Sequence, residues 1–190
     1  MSIPIYSNDP DQFISDLTEW YNTAGQNKYD EIVSISDHML QAATIAHEEG
    51  AKKTEILSCL FHDVGHMIID HDDKYKNEDR NKFHETVAKD YLSQIFIDDV
   101  VGPIENHVNA KRWLCSTDQS YYDLLSPASK QSFKEQGSYM SDEEIKNFIS
   151  SKYFESSVKV REIDDRAKFR DKSTNPIQFY REHIIDCLLS

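Results

Sequence analysis

The chain has 190 residues, enough for one domain with a substantial buried core, and 38% of them are hydrophobic. With 21 basic and 34 acidic residues, its formal net charge of −13 argues against nucleic-acid binding, which depends on a basic surface. No apolar run is long enough to span a membrane and no signal-peptide pattern is present, so we expect a cytoplasmic protein. The three cysteines lack metal-finger spacing, and we expect them to be reduced thiols.

Helical periodicity dominates the chain, and no segment alternates with period two between hairpin turns. In chain order, helices are predicted over about 12–21, 31–49, 54–62, 84–95 and 102–114. Two more are predicted to begin at about 126 and 141, and the last two cover about 154–168 and 176–189. Residues 66–80 are polar and predict a loop with at most a short turn. Gly102-Pro103 and Ser126-Pro127 would begin helices, and Ser141 with Glu144 forms a capping box. A single all-α domain over residues 1–190 is predicted.

A pair of adjacent ligand-type residues, His62 and Asp63, is surrounded by further histidines at wide spacing. His38 precedes His62 by 24 residues, His84 follows it by 22, and His107 follows His84 by 23. Adjacent side chains on a helix diverge by about 100°, so such a pair rarely binds one ion alone. The pair becomes informative because the other histidines fall on separate predicted helices of one bundle.

A carboxylate near the end of the chain, from Asp164 or Asp165, completes a set with enough ligands for two metal ions that share Asp63. Imidazole and carboxylate suit Fe, Mn or Zn, whereas no CxxC or HExxH pattern predicts a zinc finger or zincin. The remaining histidines, at positions 47, 71 and 183, are expected to be ordinary core or surface residues.

These residues resemble the HD-domain superfamily, and the two additional histidines resemble its two-metal branch. Four segments resemble, more narrowly, the small mixed-valence diiron oxygenases that cleave 1-hydroxyalkylphosphonates, relatives of myo-inositol oxygenase. They are 62–66 (HDVGH), 107–114 (HVNAKRWL), 125–137 (LSPASKQSFKEQG) and 161–168 (REIDDRAK). The likeness extends from about residue 31 to residue 168, and it implies an HD-domain helical bundle with a dinuclear metal site in its core.

The resemblance implies two iron ions, Fe(II) and Fe(III), with O2 as co-substrate. The implied ligands are His38, His62 and Asp164 for one ion, His84 and His107 for the other, and Asp63 as the bridge between them. Through these ions His62, Asp63, His84 and His107 would also be the catalytic residues. Asp164 is preferred over Asp165 because the family ligand directly follows an apolar residue, here Ile163; Asp165 would then orient a ligand or pair with Arg161.

An oxyanion pocket is predicted beside these ligands. Lys111 lies four residues after one predicted ligand, and Arg161 lies three before another, so each shares a helix face with it. His66 would do the same if the helix carrying His62 continued through Gly65. Ser129, near the start of a helix, would add a hydroxyl and backbone N–H groups. The alternative is that Lys111 and Arg161 are solvated surface charges.

Two further residues are carried over from the family as contacts to the substrate. Glu31 matches a family carboxylate that contacts the substrate amine, and Tyr29 stands one residue closer to that glutamate than the family's tyrosine does. Asp37 could add a second negative charge for a cationic group, although a solvated surface carboxylate is an equal alternative.

The function that the resemblance implies is O2-dependent cleavage of a C–P bond, which gives inorganic phosphate and a carboxylate from a small phosphonate. We expect 2-amino-1-hydroxyethylphosphonate or its N-trimethyl analogue as substrate, with hydroxymethylphosphonate also open. Two alternatives use the same ligands: an HD phosphohydrolase with Mn, Co or Zn, acting on a nucleotide or phosphomonoester, and a non-enzymatic regulatory HD module that binds metal.

Overall fold

The computed structural model describes residues 2–27, 33–75 and 80–189, and their fold is all-α, as predicted. The α-helices are α1 Pro10–Thr23, α2 Ile35–Glu48, α3 Lys53–Phe61, α4 Val64–His71, α5 Arg80–Leu92, α6 Asp98–Thr117, α7 Gln119–Leu124, α8 Pro127–Glu135, α9 Asp142–Ile149, α10 Phe154–Asp165 and α11 Arg181–Cys187. Short 3-10 turns occupy Ala24–Gln26, Asp73–Tyr75 and Ile177–Tyr180. An isolated β-bridge joins Phe96 and Leu188.

The main core is built from buried side chains of α1, α2, α3, α4, α5, α6, α10 and α11. Close pairs are α2 with α3, α4 with α5, and α6 with α10. The Tyr21 hydroxyl of α1 donates a hydrogen bond to the carbonyl of Leu60 at the end of α3. Each fully buried Leu, Ile or Phe contributes about 1.5–3 kcal/mol, so this core holds the helices in fixed register.

Side-chain caps fix several helix ends, and those of α8 and α9 lie where the sequence predicts them. Ser34 accepts a hydrogen bond from the amide of Asp37 and starts α2, and Ser126 does the same for α8 through the amide of Ser129. Ser141 and Glu144 form the predicted capping box of α9. The predicted start of the second helix at Glu31 lies outside the described residues.

Three predictions about the helices are wrong. Residues 66–71 belong to α4 and are not a loop, because Met67, Ile68 and Ile69 are buried in the core; part of the predicted loop, residues 76–79, lies outside the described residues. Gly102-Pro103 does not begin a helix but lies inside α6. Helix α7 was not predicted, and it is short and buries none of its residues completely.

Helix α6 continues through Pro103 because the neighbouring side chains are buried. An interior proline costs about 3 kcal/mol. Val100, Val101 and Ile104 are almost fully inaccessible to solvent, and each contributes about 1.5–3 kcal/mol by burial. Packing therefore outweighs the lost hydrogen bond.

All three cysteines are buried free thiols, as the composition led us to expect. None of the described helices combines the length and the apolar character that a membrane crossing requires.

Candidate metal centre

The six side chains predicted as metal ligands meet in the middle of the bundle, and none of them is more than 3% exposed. They come from α2, the junction between α3 and α4, α5, α6 and α10. They are His38, His62, Asp63, His84, His107 and Asp164. Two groups of three donors that could hold a metal ion share Asp63: His38 and His62 complete one, and His84 and His107 complete the other.

A break in the helix lets the adjacent residues His62 and Asp63 face the same point. Helix α3 ends at Phe61 and α4 begins at Val64, and Asp63 has a non-helical backbone with φ −107° and ψ 10°. The 100° divergence of neighbours on one helix therefore does not apply. His62 Nε2 and Asp63 Oδ2 lie 3.4 Å apart.

The first imidazole pair is His38 and His62, whose Nε2 atoms are 3.0 Å apart. The Nδ1 atom of His38 lies 2.9 Å from the carbonyl oxygen of Ala167, and Nδ1 of His62 lies 2.9 Å from that of Cys59. A carbonyl oxygen can only accept, so each ring carries its proton on Nδ1. The two Nε2 atoms are then the ring nitrogens left to bind a metal ion or a further proton.

The second pair is His84 and His107, with Nε2 atoms also 3.0 Å apart. His107 Nδ1 lies 2.6 Å from the carbonyl oxygen of Ile104, which fixes the same tautomer. His84 Nδ1 has no carbonyl partner and instead lies 3.4 Å from Glu85 Oε2.

Asp63 stands between the two pairs. Its Oδ2 atom lies 3.6 Å from His38 Nε2 and 3.4 Å from His62 Nε2. Its Oδ1 atom lies 3.5 Å from His84 Nε2 and 3.7 Å from His107 Nε2. One carboxylate oxygen thus faces each imidazole pair.

The electrostatics of the cluster keep Asp63 ionised and two of the histidines neutral. Burial opposes ionisation of Asp63, but the imidazole of His62 holds its pKa well below the usual range. Burial lowers the pKa of His84 well below its ordinary value and that of His107 to about 3. Burial also acts to lower the pKa of His62, but Asp63 raises it to about 9. A metal ion binding here would displace that proton.

Arg161 connects the centre to α7. Its Nη1 atom donates to Asp164 Oδ2 at 2.5 Å, and its other nitrogens donate to Asp165. The Tyr121 hydroxyl of α7 also donates to Asp165. Asp164 Oδ1 points the other way and lies 3.0 Å from His38 Nε2. The two adjacent aspartates therefore have different surroundings, one at the imidazoles and one in the Arg161–Tyr121 network.

A cavity of about 340 Å³ opens onto the centre. Its lining includes four of the donors, Asp63, His84, His107 and Asp164, and four predicted substrate residues, His66, Lys111, Ser129 and Arg161. Lys111 is buried and donates to Ser132 Oγ at 2.9 Å. Burial, followed by the nearby Arg161 guanidinium, lowers the pKa of Lys111 to about 7. Cationic groups are thus concentrated beside the centre of an otherwise acidic chain.

Comparison with known proteins identifies the family. The HD domain model matches residues 35–169. The chain belongs to the HD-domain family. It is 36% identical over 183 residues, 96% of this chain and 91% of the relative, to the hydroxymethylphosphonate dioxygenase of Gimesia maris. It is 33% identical over 155 residues, 81% of this chain and 79% of the relative, to the [1-hydroxy-2-(trimethylamino)ethyl]phosphonate dioxygenase (glycine-betaine-forming) of Leisingera caerulea. An uncharacterized protein of Acanthamoeba polyphaga mimivirus is 35% identical over 97% of this chain and 87% of its own length.

The similarity confirms the resemblance seen in the sequence: this HD domain is an oxygenase of the branch whose named members act on phosphonates. The chain covers most of the length of each relative, so the similarity extends well beyond the metal-binding motif.

Several predicted positions in this HD domain differ in detail from the expectation. The helix is interrupted at residues 62 and 63, before Gly65, so His66 lies on α4 and is not stacked one turn after His62. Its ring instead stacks on His84, with centroids 4.1 Å apart. The Ser129 amide donates to the Ser126 hydroxyl of its own helix cap, so the predicted N–H contribution to an oxyanion is wrong and only the side chain remains.

Of the two carboxylates expected to meet a cationic substrate, Asp37 does not line the cavity. Asp37 is exposed and accepts a hydrogen bond from the Ser34 hydroxyl, which supports the alternative of a surface carboxylate. Glu31 and Tyr29 lie outside the described residues. The histidines at positions 47 and 183 contact each other away from the centre.

Three residues near the centre were missed in the sequence. Gly65 was noted only as part of a motif, yet a Cβ there would collide with the backbone of His84. Glu85 directly follows a ligand-type histidine, and that adjacency was the available signal. Tyr121 lies on the unpredicted helix α7, and no sequence pattern points to it.

Proposed function

We propose that this chain catalyses the reaction of a 1-hydroxyalkylphosphonate with O2, which breaks the C–P bond and gives inorganic phosphate and a carboxylate. The products contain both oxygen atoms of O2 and all atoms of the substrate, so no further reductant is needed. The names of two relatives that cover most of the chain support this reaction class. The single observation that carries the proposal is the buried donor set in which two imidazole pairs face the two oxygens of Asp63.

The chemistry of the donor set fits two cations. The Nε2 atoms of His38 and His62 lie 3.0 Å apart, and once the additional proton of His62 is displaced both offer lone pairs that one cation can bind. Metal–nitrogen bonds of about 2.1 Å at right angles separate two ligand atoms by about 3.0 Å. His84 and His107 show the same separation. Nitrogen and carboxylate donors without thiolate suit iron.

We assign His38, His62 and Asp164 to one iron, His84 and His107 to the other, and Asp63 to both. Asp164 is chosen over Asp165 because its Oδ1 lies at the His38 ring, whereas Asp165 is occupied by Arg161 and Tyr121. Two iron ions, when bound, would supply the Lewis acidity and the electron transfer that oxidation of the substrate by O2 requires.

The side chains of the cavity bind and orient the phosphonate. Lys111 and His66 bring donors to the opening of the centre, and the Ser129 hydroxyl lies across from them on α8. Charge-assisted hydrogen bonds to phosphonate oxygens are stronger than neutral ones and fix its orientation. Arg161 also lines the cavity, and its bond to Asp164 Oδ2 leaves Oδ1 directed at the centre.

The substituent on C1 is the remaining choice. We propose 2-amino-1-hydroxyethylphosphonate or its N-trimethyl analogue, on the strength of Glu31, with hydroxymethylphosphonate as the competitor. Among the described residues that line the cavity, the acidic ones are Asp63 and Asp164, both part of the proposed centre. Recognition of a cationic substituent would therefore depend on Glu31, and Glu31→Gln should impair the aminated substrates and spare hydroxymethylphosphonate.

The test is phosphate release from the three phosphonates, in air and under argon, by iron-loaded protein. The proposal predicts release that requires O2 and that consumes one O2 per phosphate. His84→Ala and His107→Ala should abolish it and leave about one iron per chain, whereas His183→Ala, a half-buried histidine remote from the centre, should behave like wild type. Release under argon would instead indicate a phosphohydrolase, and no release from any phosphonate or phosphate ester would indicate a binding module.

A further inference from the structure

One histidine of the centre differs from the other three in what its second ring nitrogen contacts. The Nδ1 atoms of His38, His62 and His107 each lie 2.6–2.9 Å from a backbone carbonyl oxygen. The Nδ1 atom of His84 has no such carbonyl among the residues that the structure describes, and the acceptor it faces is Glu85 Oε2 at 3.4 Å.

Glu85 is a carboxylate in a place where carboxylates are rare. Its side chain is only 18% exposed, and the Oε2 atom is buried without a hydrogen-bond partner among the described residues. An ionised carboxylate held out of water without a partner is costly, so a buried one is normally paired with a donor or a cation. The His84 ring is the donor within reach.

We propose that Glu85 is a positioning residue that accepts the Nδ1 proton of His84 and thereby holds Nε2 toward the second metal position. A ring that binds a metal ion through Nε2 carries its proton on Nδ1, and that proton needs an acceptor. Shortening of the 3.4 Å contact by a few tenths of an ångström on metal binding would complete a charge-assisted bond. This inference rests on the proposed two-metal centre.

The assignment also balances charge between the two metal positions. The position at His38 and His62 has Asp164 as a directly facing carboxylate. Within the described residues, the group of donors at His84 and His107 includes one carboxylate, the shared Asp63. Glu85 supplies negative charge to that position through the His84 ring, because an imidazole bonded to a carboxylate is a more basic ligand.

The test compares Glu85→Gln, which keeps the shape of the side chain, with Glu105→Gln. Glu105 is about half exposed on α6 and pairs with Lys89, so its variant removes the same charge without touching the centre. Metal affinity is measured by chelator competition on the whole chain. We expect two ions in wild type, and in Glu85→Gln an affinity about 10–100-fold weaker for one ion only, with kcat reduced and substrate KM little changed. Glu105→Gln should match wild type.

A purely structural role for Glu85 would lower the melting temperature without changing either metal affinity, and this result would overturn the inference while leaving the proposed function intact. A wild-type protein that binds one ion would overturn both. If Glu85→Gln folds poorly, zinc-loaded wild type provides a second readout by proton NMR. The His84 Nδ1 proton should then resonate downfield and exchange slowly, and rapid exchange with water would contradict the proposal.

Discussion

Substitution of Gly65 by alanine tests how closely the centre depends on helix packing. Gly65 lies on α4, directly against the start of α5. A Cβ on Gly65 would lie 2.7 Å from the carbonyl carbon and 3.0 Å from the Cα atom of His84, and it would overlap the carbonyl oxygen. The closest of these atoms, the carbonyl oxygen, would be only 1.9 Å from the new Cβ, and ordinary contacts begin at 3.4 Å, so α5 must retreat at His84 by more than ~1 Å.

That displacement matters for stability and, still more, for metal binding. The atoms in the way are backbone, which cannot swing aside as a flexible side chain can, so the loss of unfolding free energy should be at the upper end of the ~1–3 kcal/mol that overpacking typically costs. Metal–ligand distances, in contrast, tolerate only about 0.2 Å. The His84 ligand would therefore move out of range of the second metal, and misplacement on this scale costs about 100-fold in rate.

The measurements are iron per chain, phosphate release and thermal unfolding of Gly65→Ala. We expect about one iron per chain, at least about 100-fold slower turnover and a melting temperature lowered by roughly 5–10 °C. Gly102→Ala is the matched control, because its Cβ would collide with the Tyr153 ring, away from the proposed ligands. It should lower stability but keep both irons. Two irons and wild-type turnover in Gly65→Ala would refute the reasoning.

Two further substitutions test the pocket and the choice between the adjacent aspartates. Lys111→Ala should raise the substrate KM by about 10–150-fold, the equivalent of a charge-assisted bond of roughly 1.5–3 kcal/mol. The control is Lys134→Ala, at an exposed position on α8, which should leave the KM unchanged. An unchanged KM of Lys111→Ala in steady-state kinetics would show that Lys111 does not bind the substrate. Asp164→Asn should lose iron. Asp165→Asn should retain its iron but turn over more slowly, because Arg161 loses one of its two carboxylate partners. Iron analysis showing the opposite pattern would exchange the two assignments.

The sequence was informative about the centre because its ligands are chemically distinctive and fall on separate helices. His38, His62, Asp63, His84 and His107 could be predicted from residue type and spacing, and the structure brings them together. The all-α class followed from periodicity, since buried positions recur along most helices.

What was missed depends on contacts between distant segments. The turn that separates α3 from α4 exists because Asp63 leaves the helical conformation, and the local sequence preferences do not predict this turn. Burial of Ile68 and Ile69 turns a predicted loop into helix. The roles of Gly65 and Tyr121 arise only when α4 meets α5 and when α7 meets α10. Such contacts override local preference, and a single sequence does not display them.

The central claim is a pair of irons joined by Asp63, and iron analysis combined with EPR on the purified chain tests it most directly. The account predicts two irons per chain and a mixed-valence signal that changes when a 1-hydroxyalkylphosphonate is added. A fully active protein with a single iron per chain, or a signal indifferent to the substrate, would contradict it.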